Sequence, residues 1–321
     1  MAAIGSPTDE ESLGDLVPDR IRELLDEHGQ KAIPLIARDP ALAQLAAAAS
    51  QSVETFHQLH NADARRLGFL QNESIHLVVT SPPYWTLKEY DEADGQLGSV
   101  SDYDSFLDEL DRIWSEILRV LVPGGRLAVV VGDVCLSRKR HGRHVVYPLH
   151  SSIQERCRAL GFDNLTPIIW HKIANARLEV ENGSGFLGKP YEPNAVVKND
   201  MEFILFQRKP GGYRQPGVAA RLLSVIPQDC HQQWYQQIWI MPGASTRIHP
   251  APFPLNLAER LVRMFSFVGD TVLDPFTGTG TTNLAARAWG RNSIGVEVCE
   301  SYLEIARTRL ESQQLRLGQI E

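Results

Sequence analysis

From about residue 56 the chain alternates short apolar runs with stretches in which apolar residues recur every three or four positions. Ile75-His76-Leu77-Val78-Val79-Thr80 is compact, rich in β-branched residues and halted by Ser81-Pro82-Pro83, the pattern of a buried parallel strand running into a loop. Between Tyr103 and Leu121, the residues Phe106, Leu107, Leu110, Ile113, Trp114, Ile117, Leu118 and Leu121 share one helical face. Pro123-Gly124-Gly125 then turns the chain into a second buried strand, Arg126 to Val131. The pattern continues with a helix from His150 to Leu160 and strands at Pro167 to Trp170 and Met201 to Phe206. Later it gives a helix from Leu255 to Phe267, a strand Thr271 to Leu273, a helix Thr282 to Trp289, a strand Ser293 to Val296 and a last helix from Ser301 to about Leu315. Strands alternating with helices predict an α/β fold, a doubly wound, mostly parallel sheet with helices on both faces.

Three regions depart from this alternation. Residues 1–14 are small, polar and acidic, the composition of a frayed end. From Leu16 to about Ala49 the pattern is helical, with breaks expected at Pro34 and Pro40. Residues 1–54 therefore read as an acidic helical N-terminal extension to a main body of residues 55–321. Residues 173–199 and 207–248 are rich in Gly, Pro, Asn and Gln, with weak periodicity and interleaved aromatics.

The net charge of −7 disfavours nucleic acid only if it is spread evenly. It is not, because residues 1–30 hold eight acids against Arg20 and Arg22, which leaves the remaining 291 residues with 30 bases and 31 acids. Local patches on a nearly neutral body therefore decide what it binds. No run approaches the length of a membrane span, and the acidic start does not read as a secretory signal. Cys135, Cys157, Cys230 and Cys299 form no C-x-x-C pair, so the expectation is idle thiols in the cytoplasm, with neither a disulfide framework nor a metal site.

Two constellations carry chemistry. In Val272-Leu273-Asp274-Pro275-Phe276-Thr277-Gly278-Thr279-Gly280-Thr281-Thr282 a strand enters a loop with two glycines and a helix follows. The glycines admit close backbone approach to a ligand, and the helix start offers free N–H groups. Glu297, 17 positions after Gly280 and at the end of the next strand, is placed to accept ribose hydroxyls. An ordinary Gly-rich turn would account for the two glycines alone, but not for strand, glycines, helix and terminal acid together. The second constellation, Thr80-Ser81-Pro82-Pro83-Tyr84-Trp85, stands at a strand's C-terminal end, where open α/β sheets bind ligands. Two prolines stiffen the loop, aiming the Ser81 hydroxyl and the Pro82 carbonyl at an amine, while Tyr84 offers a ring face to a planar base. A Pro-rich turn with an anchoring aromatic is the plainer alternative.

Together these stretches resemble the amino-methylating DNA methyltransferases that use S-adenosylmethionine, in the circularly permuted β group whose catalytic S-P-P-Y precedes the cofactor loop. The resemblance spans roughly residues 55–310. It implies the S-adenosylmethionine-dependent methyltransferase fold with an inserted target-recognition region. It implies Ser81, Pro82, Pro83 and Tyr84 as catalytic, and Asp274, Pro275, Phe276, Gly278, Gly280, Thr281, Thr282 and Glu297 as cofactor-binding. It adds Asp63, where the family has an acid near the adenine, and Pro252 and Phe253 within His249–Pro254, which is similar to the segment closing over the methionine part. Ile168 to Lys172 resembles the strand bordering the target-base pocket.

The resemblance also implies chemistry. A target amine buried in a duplex is flipped into the pocket. Hydrogen bonds from it to Ser81 and the Pro82 carbonyl localise its lone pair for direct displacement at the sulfonium methyl. No cysteine follows a proline, which excludes the carbon-5 cytosine class. Serine at the first position of x-P-P-Y favours cytosine N4, with adenine N6 as the alternative. Arg138, Lys139, Arg140 and Arg143 form a basic cluster expected to meet DNA phosphates. Residues 173–199 and 207–248, with Lys189, Tyr191, Lys198, Arg208, Lys209, Tyr213, Arg214, Trp234 and Tyr235, have the donors that read base edges. The expected partner is double-stranded DNA; a separately acting restriction endonuclease and a homodimer are further partners this reading admits. The rival readings are an RNA or protein methyltransferase, a catalytically idle DNA-binding protein and a nicotinamide enzyme. The last would need a third glycine where Asn283 stands.

Overall fold

The computed structural model describes residues 10–85, 95–172, 197, 199–244 and 253–317. Four helices come first: α1 (Glu10–Leu16), α2 (Asp19–His28), α3 (Ala32–Arg38) and α4 (Pro40–Gln51). Pro40 starts α4 as expected, with Asp39 capping it by accepting from the amides of Ala41 and Leu42. Pro34 does not break the chain. It lies in the first turn of α3, where its missing N–H costs nothing, and the break falls instead in a 3₁₀ turn at Gly29–Lys31.

Then follow β1 (His57–Asn61), β2 (Ile75–Thr80), α5 (Tyr103–Val120), β3 (Leu121–Val131), β4 (Val134–Leu136), α6 (Arg138–His141), β5 (Val145–Tyr147) and α7 (Leu149–Leu160). After them come β6 (Asp163–Lys172), β7 (Met201–Arg208), α8 (Val218–Leu223), α9 (Gln228–Trp234) and β8 (Ile238–Met241). The described chain closes with α10 (Leu255–Phe265), β9 (Thr271–Asp274), α11 (Thr281–Ala288), β10 (Asn292–Glu297) and α12 (Glu300–Leu317). Eight strands form one sheet in the order β1-β10-β9-β2-β3-β7-β6-β8, while β4 and β5 make a separate ribbon. Every neighbouring pair in the large sheet is parallel except the two that β7 makes.

Both faces of the sheet are covered, so its central strands are apolar on both sides. In β3, Leu127, Val129 and Val131 pack toward α5 and α7, whereas Ala128 and Val130 join the cluster built by α10 and α11. A third cluster joins the N-terminal helices, through Ile21, Ile36 and Ala46, to Leu222 and Leu223 of α8.

The stretch 207–248 corrects an expectation. Its weak periodicity suggests a recognition segment, but α8, α9 and β8 lie in it, and Trp234, Trp239 and Met241 are buried in the core. Because β7 runs antiparallel, the chain leaves it at the edge where β2 and β3 begin, not where they end. Arg208 there pairs with Asp163, Lys209 with Glu73, and Arg214 forks onto Asp270. The candidate base readers Arg208, Lys209, Tyr213 and Arg214 thus stand at the wrong edge of the sheet for a base held at the Ser81 end. Lys189, Tyr191 and Lys198 lie outside the described residues.

Candidate active site

The site begins where β2 stops. Thr80 is fully buried, Ser81 is partly buried, and Pro82, Pro83, Tyr84 and Trp85 are buried in turn. Prolines suit the exit from a strand because they bring no N–H that would lose its ladder partner. Trp85 adopts φ +45°, a backbone state that bulky residues rarely take. An aromatic nest accompanies it: the indole meets Tyr103 at 5.1 Å edge-on and Tyr147 at 5.0 Å. On the other side of the loop, a Cβ at Gly132 would come within 3.5 Å of Tyr84 Cε2 and 3.1 Å of Glu202 Cγ. Glycine just after β3 therefore makes room for the Glu202 side chain, with the Tyr84 ring at ordinary contact distance beside it. Lys172, at the end of β6, pairs with Glu202 and so joins this border.

The second loop leaves β9. The Asp274 carboxylate is fully buried and accepts from Thr80 Oγ1 at 2.7 Å, Thr282 Oγ1 at 2.7 Å and the Phe276 amide at 3.0 Å. Burial pushes its pKa up to about 6, against the pull of those three hydrogen bonds. Asp274 thereby ties the strand that carries Ser81 to the first turn of α11, across 194 residues of sequence. Gly278 and Gly280 both have positive φ, and a Cβ on Gly280 would press against Ala306 Cβ at 3.0 Å. Thr281 opens α11 directly after them.

Glu297, at the end of β10, accepts the Gly278 amide on Oε2 at 2.9 Å and the Cys299 amide on Oε1 at 3.0 Å. Burial raises its pKa, partly offset by those backbone hydrogen bonds. A carboxylate oxygen accepts more than one hydrogen bond, so each can still take a ligand hydroxyl. Across from it, Arg65 grips both oxygens of Asp63, by Nε at 2.9 Å and Nη2 at 2.6 Å. Burial alone would raise the Asp63 pKa, but the Arg65 hydrogen bonds outweigh it and hold the carboxyl below its ordinary value.

One recess gathers these parts, lined by Asp63, Ser81, Pro83, Pro275, Phe276 and Glu297. Leu97, Ile113 and Tyr302 complete its apolar wall, and no sequence motif marked them. Asp274 and Thr282 stand behind the wall and bind each other, not the recess. Phe253 is buried among the side chains of the α10 face, and Pro252 lies outside the described residues.

The basic cluster sits at the tip of the β4–β5 ribbon, which springs from the same edge of the sheet. Arg138 and Lys139 lie in the four-residue α6, which Gly142 ends with φ +75°, and Arg143 follows. Arg138, Lys139 and Arg143 are exposed and have no carboxylate partner among the described residues; the Arg140 side chain lies outside them. At the base of the same ribbon, Tyr147 touches Trp85, so the basic tip is braced against the Ser81 loop. Among the described residues no helix is long and apolar enough to cross a membrane, and no cluster of His, Cys, Asp or Glu is placed to hold a metal.

Comparison with known proteins gives the family. The DNA methylase family model matches residues 75–308, from the first residue of β2 into α12. The type II methyltransferase M.MjaI of Methanocaldococcus jannaschii is 36% identical over 299 residues, covering 84% of this chain and 96% of that protein. A solved structure of TTHA0409 from Thermus thermophilus, a provisionally assigned DNA modification methylase complexed with S-adenosyl-L-methionine, is 53% identical. It covers 79% of this chain and 92% of its own, with a TM-score of 0.65. The cytosine-N4-specific PvuII DNA methyltransferase, at 19% identity, shares the fold over 80% of this chain and 87% of its own, with a TM-score of 0.58. With the family model spanning the Ser81 loop, the Gly278–Gly280 loop and Glu297 alike, this chain belongs to the DNA methylase family.

Proposed function

We propose that this chain is a site-specific, S-adenosylmethionine-dependent DNA methyltransferase of the permuted β group, acting on the N4 amine of a flipped cytosine in double-stranded DNA. One observation carries the reading: the Ser81 loop and the loop after Asp274, far apart in sequence, line a single recess with Glu297. The chain order supports the permuted arrangement, because β2 precedes β9 in sequence although the two are neighbours in the sheet. The residues fit the cofactor. Glu297 offers two buried oxygens, each already oriented by a backbone amide, to a ribose diol, and Phe276 supplies a ring wall. When bound, S-adenosylmethionine supplies an electrophilic methyl group on its sulfonium. Ser81 Oγ and the Pro82 carbonyl accept from the target amine and orient its lone pair, and Tyr84 holds the base by its ring. A serine in the first position of x-P-P-Y favours cytosine N4 over adenine N6.

We assign recognition to residues 173–199, which in sequence connect the end of β6 to the start of β7, and DNA-backbone contact to the ribbon tip. Incubation with S-adenosylmethionine and unmethylated DNA, followed by nucleoside mass spectrometry, is expected to give N4-methyldeoxycytidine. N6-methyldeoxyadenosine overturns the choice of base, and transfer only to RNA or protein overturns the choice of DNA. Ser81→Ala is expected to lower kcat by about 10²-fold with cofactor affinity kept, the scale for losing one aimed hydrogen-bonding group. Unchanged turnover removes Ser81 from the mechanism.

A cognate restriction endonuclease acting separately accords with this activity. Replacing Arg138, Lys139 and Arg143 with glutamine is expected to flatten the slope of log K against log salt by about 0.9 for each phosphate no longer neutralised. Equal slopes for the two proteins remove the ribbon from the DNA surface.

A further inference from the structure

A second cavity, of about 600 Å³, opens at the edge of the sheet where β2 and β3 begin, opposite the recess. That is the size of a small-molecule pocket. Its lining includes Arg126, Arg208, Arg214, Arg221 and Arg263, and among the described residues no Asp or Glu. Two of these guanidiniums are matched by carboxylates, Arg208 by Asp163 at 2.7 Å and Arg214 by buried Asp270 at 2.6 Å. Arg126 and Arg263 have no carboxylate partner among the described residues.

Arg126 lies over the Phe265 ring at 5.4 Å and directly across the β3–β7 register from Arg208. Burial, then the Arg208 charge, pull its pKa below the ordinary arginine value. Arg263 lies over Trp289 at 3.7 Å and Trp234 at 4.9 Å, and burial lowers its pKa as well. Asp229 and Glu259 draw on Arg263 electrostatically, but neither lines the cavity. Arg126, partly buried and without a carboxylate counter-charge, is unfavourable as it stands, and an anion that enters relieves it. Guanidinium forks match phosphate oxygens two at a time. At the rim, Tyr235 is half exposed and stacked on His231 at 4.3 Å, presenting a ring to a planar group.

We propose that this cavity binds a nucleoside polyphosphate, with Arg126 and Arg263 on the phosphates and Tyr235 against the base. The α3 residues Ile33 and Ala37 form part of the wall, so the ligand bridges the N-terminal helices to the catalytic sheet. The cavity opens at the edge opposite the Ser81 loop, a length of β2 away from it. That favours a free nucleotide over the DNA backbone as the source of the phosphates.

The test is calorimetric titration of the full chain with ATP and, separately, with inorganic pyrophosphate. One saturable site is expected for each, weakened about tenfold or more by Arg126→Gln and by Arg263→Gln, and less by Arg126→Lys, with methyl transfer kept. Arg263 packs on two indoles, so Arg126→Gln is the arm that stands if Arg263→Gln fails to fold. The proposal is overturned if neither probe binds, or if both bind the Arg126→Gln protein as they bind the wild type. It is overturned equally if a short DNA duplex displaces ATP and Arg126→Gln weakens that duplex by the same factor, which makes the cavity part of the DNA surface.

Discussion

Glu297→Ala is expected to weaken S-adenosylmethionine binding by about 10²-fold or more, with the fold intact. Hydrogen bonds to an ionised acceptor contribute about 1.5–3 kcal/mol each, and the two ribose hydroxyls would lose theirs together. The alanine also frees the amides of Gly278 and Cys299, which Glu297 holds at 2.9 and 3.0 Å. The Gly278 loop then loses the brace that shapes it for the ligand, so the loss exceeds that of the contacts alone. Glu297→Gln keeps the volume and one accepting oxygen but turns an NH₂ toward a donor, so its affinity should fall between the two. Calorimetry on the three proteins decides the matter, and equal affinities would place the ribose elsewhere.

Asp274 carries the second large effect, on stability. Asp274→Ala strands Thr80 Oγ1 and the Phe276 amide, while Thr282 Oγ1 falls back on the Val79 carbonyl at 3.3 Å. Unsatisfied buried groups cost about 1–3 kcal/mol each, and the expected total is roughly 3–5 kcal/mol by urea unfolding. The same group gives a pH signature. Its folded pKa, about 6, lies above the 3.8 of an ordinary aspartate, because burial disfavours the charged form. Between those values the folded chain keeps a proton that the unfolded chain has released, so the group's contribution to stability falls as pH rises through that window. The fall is on the order of 2–3 kcal/mol. Asp274→Asn has no such proton to lose. The stability of wild type relative to Asp274→Asn should therefore improve as the pH is lowered from 7 to 4.5, and a difference independent of pH sinks the assignment.

The strands that carry the site were legible because they are buried on both faces. Ile75 to Thr80, apart from the partly buried His76, and Thr271 to Asp274 have no water-facing side to interrupt the run, and each ends at an unmistakable loop. β1 was not legible. His57-Gln58-Leu59-His60-Asn61 is a polar, partly buried edge strand, held by pairing with β10. β8 was hidden for another reason: in Ile238-Trp239-Ile240-Met241 the outward residues are also apolar, so the period of two leaves no polar trace. α8 and α9, at six and seven residues, are too short for a helical period to show. Within the site, Asp274 is expected on the cofactor because it opens the motif. That its oxygens turn toward Thr80 and Thr282 depends on how β2 stacks beside β9, which no local pattern encodes. The grip of Arg65 on Asp63 is likewise a tertiary fact, since it needs the turn after β1 and the Glu109 carboxylate from α5.

The sheet order has a consequence for the birth of the molecule. β1 and β2 follow one another in the chain, yet β10 and β9 lie between them, and His57 bonds Ser293 across 236 residues. A chain growing on a ribosome makes β1 and β2 early and must leave room for two strands not yet synthesised. Until these arrive, β1 and β2 each present a bare edge to the other, the arrangement most prone to wrong pairing. Contacts so distant in sequence also form slowly. The recess shared by Ser81 and Glu297 therefore stays incomplete, however intact the Ser-Pro-Pro-Tyr loop, until β9 and β10 have been made and have entered the gap.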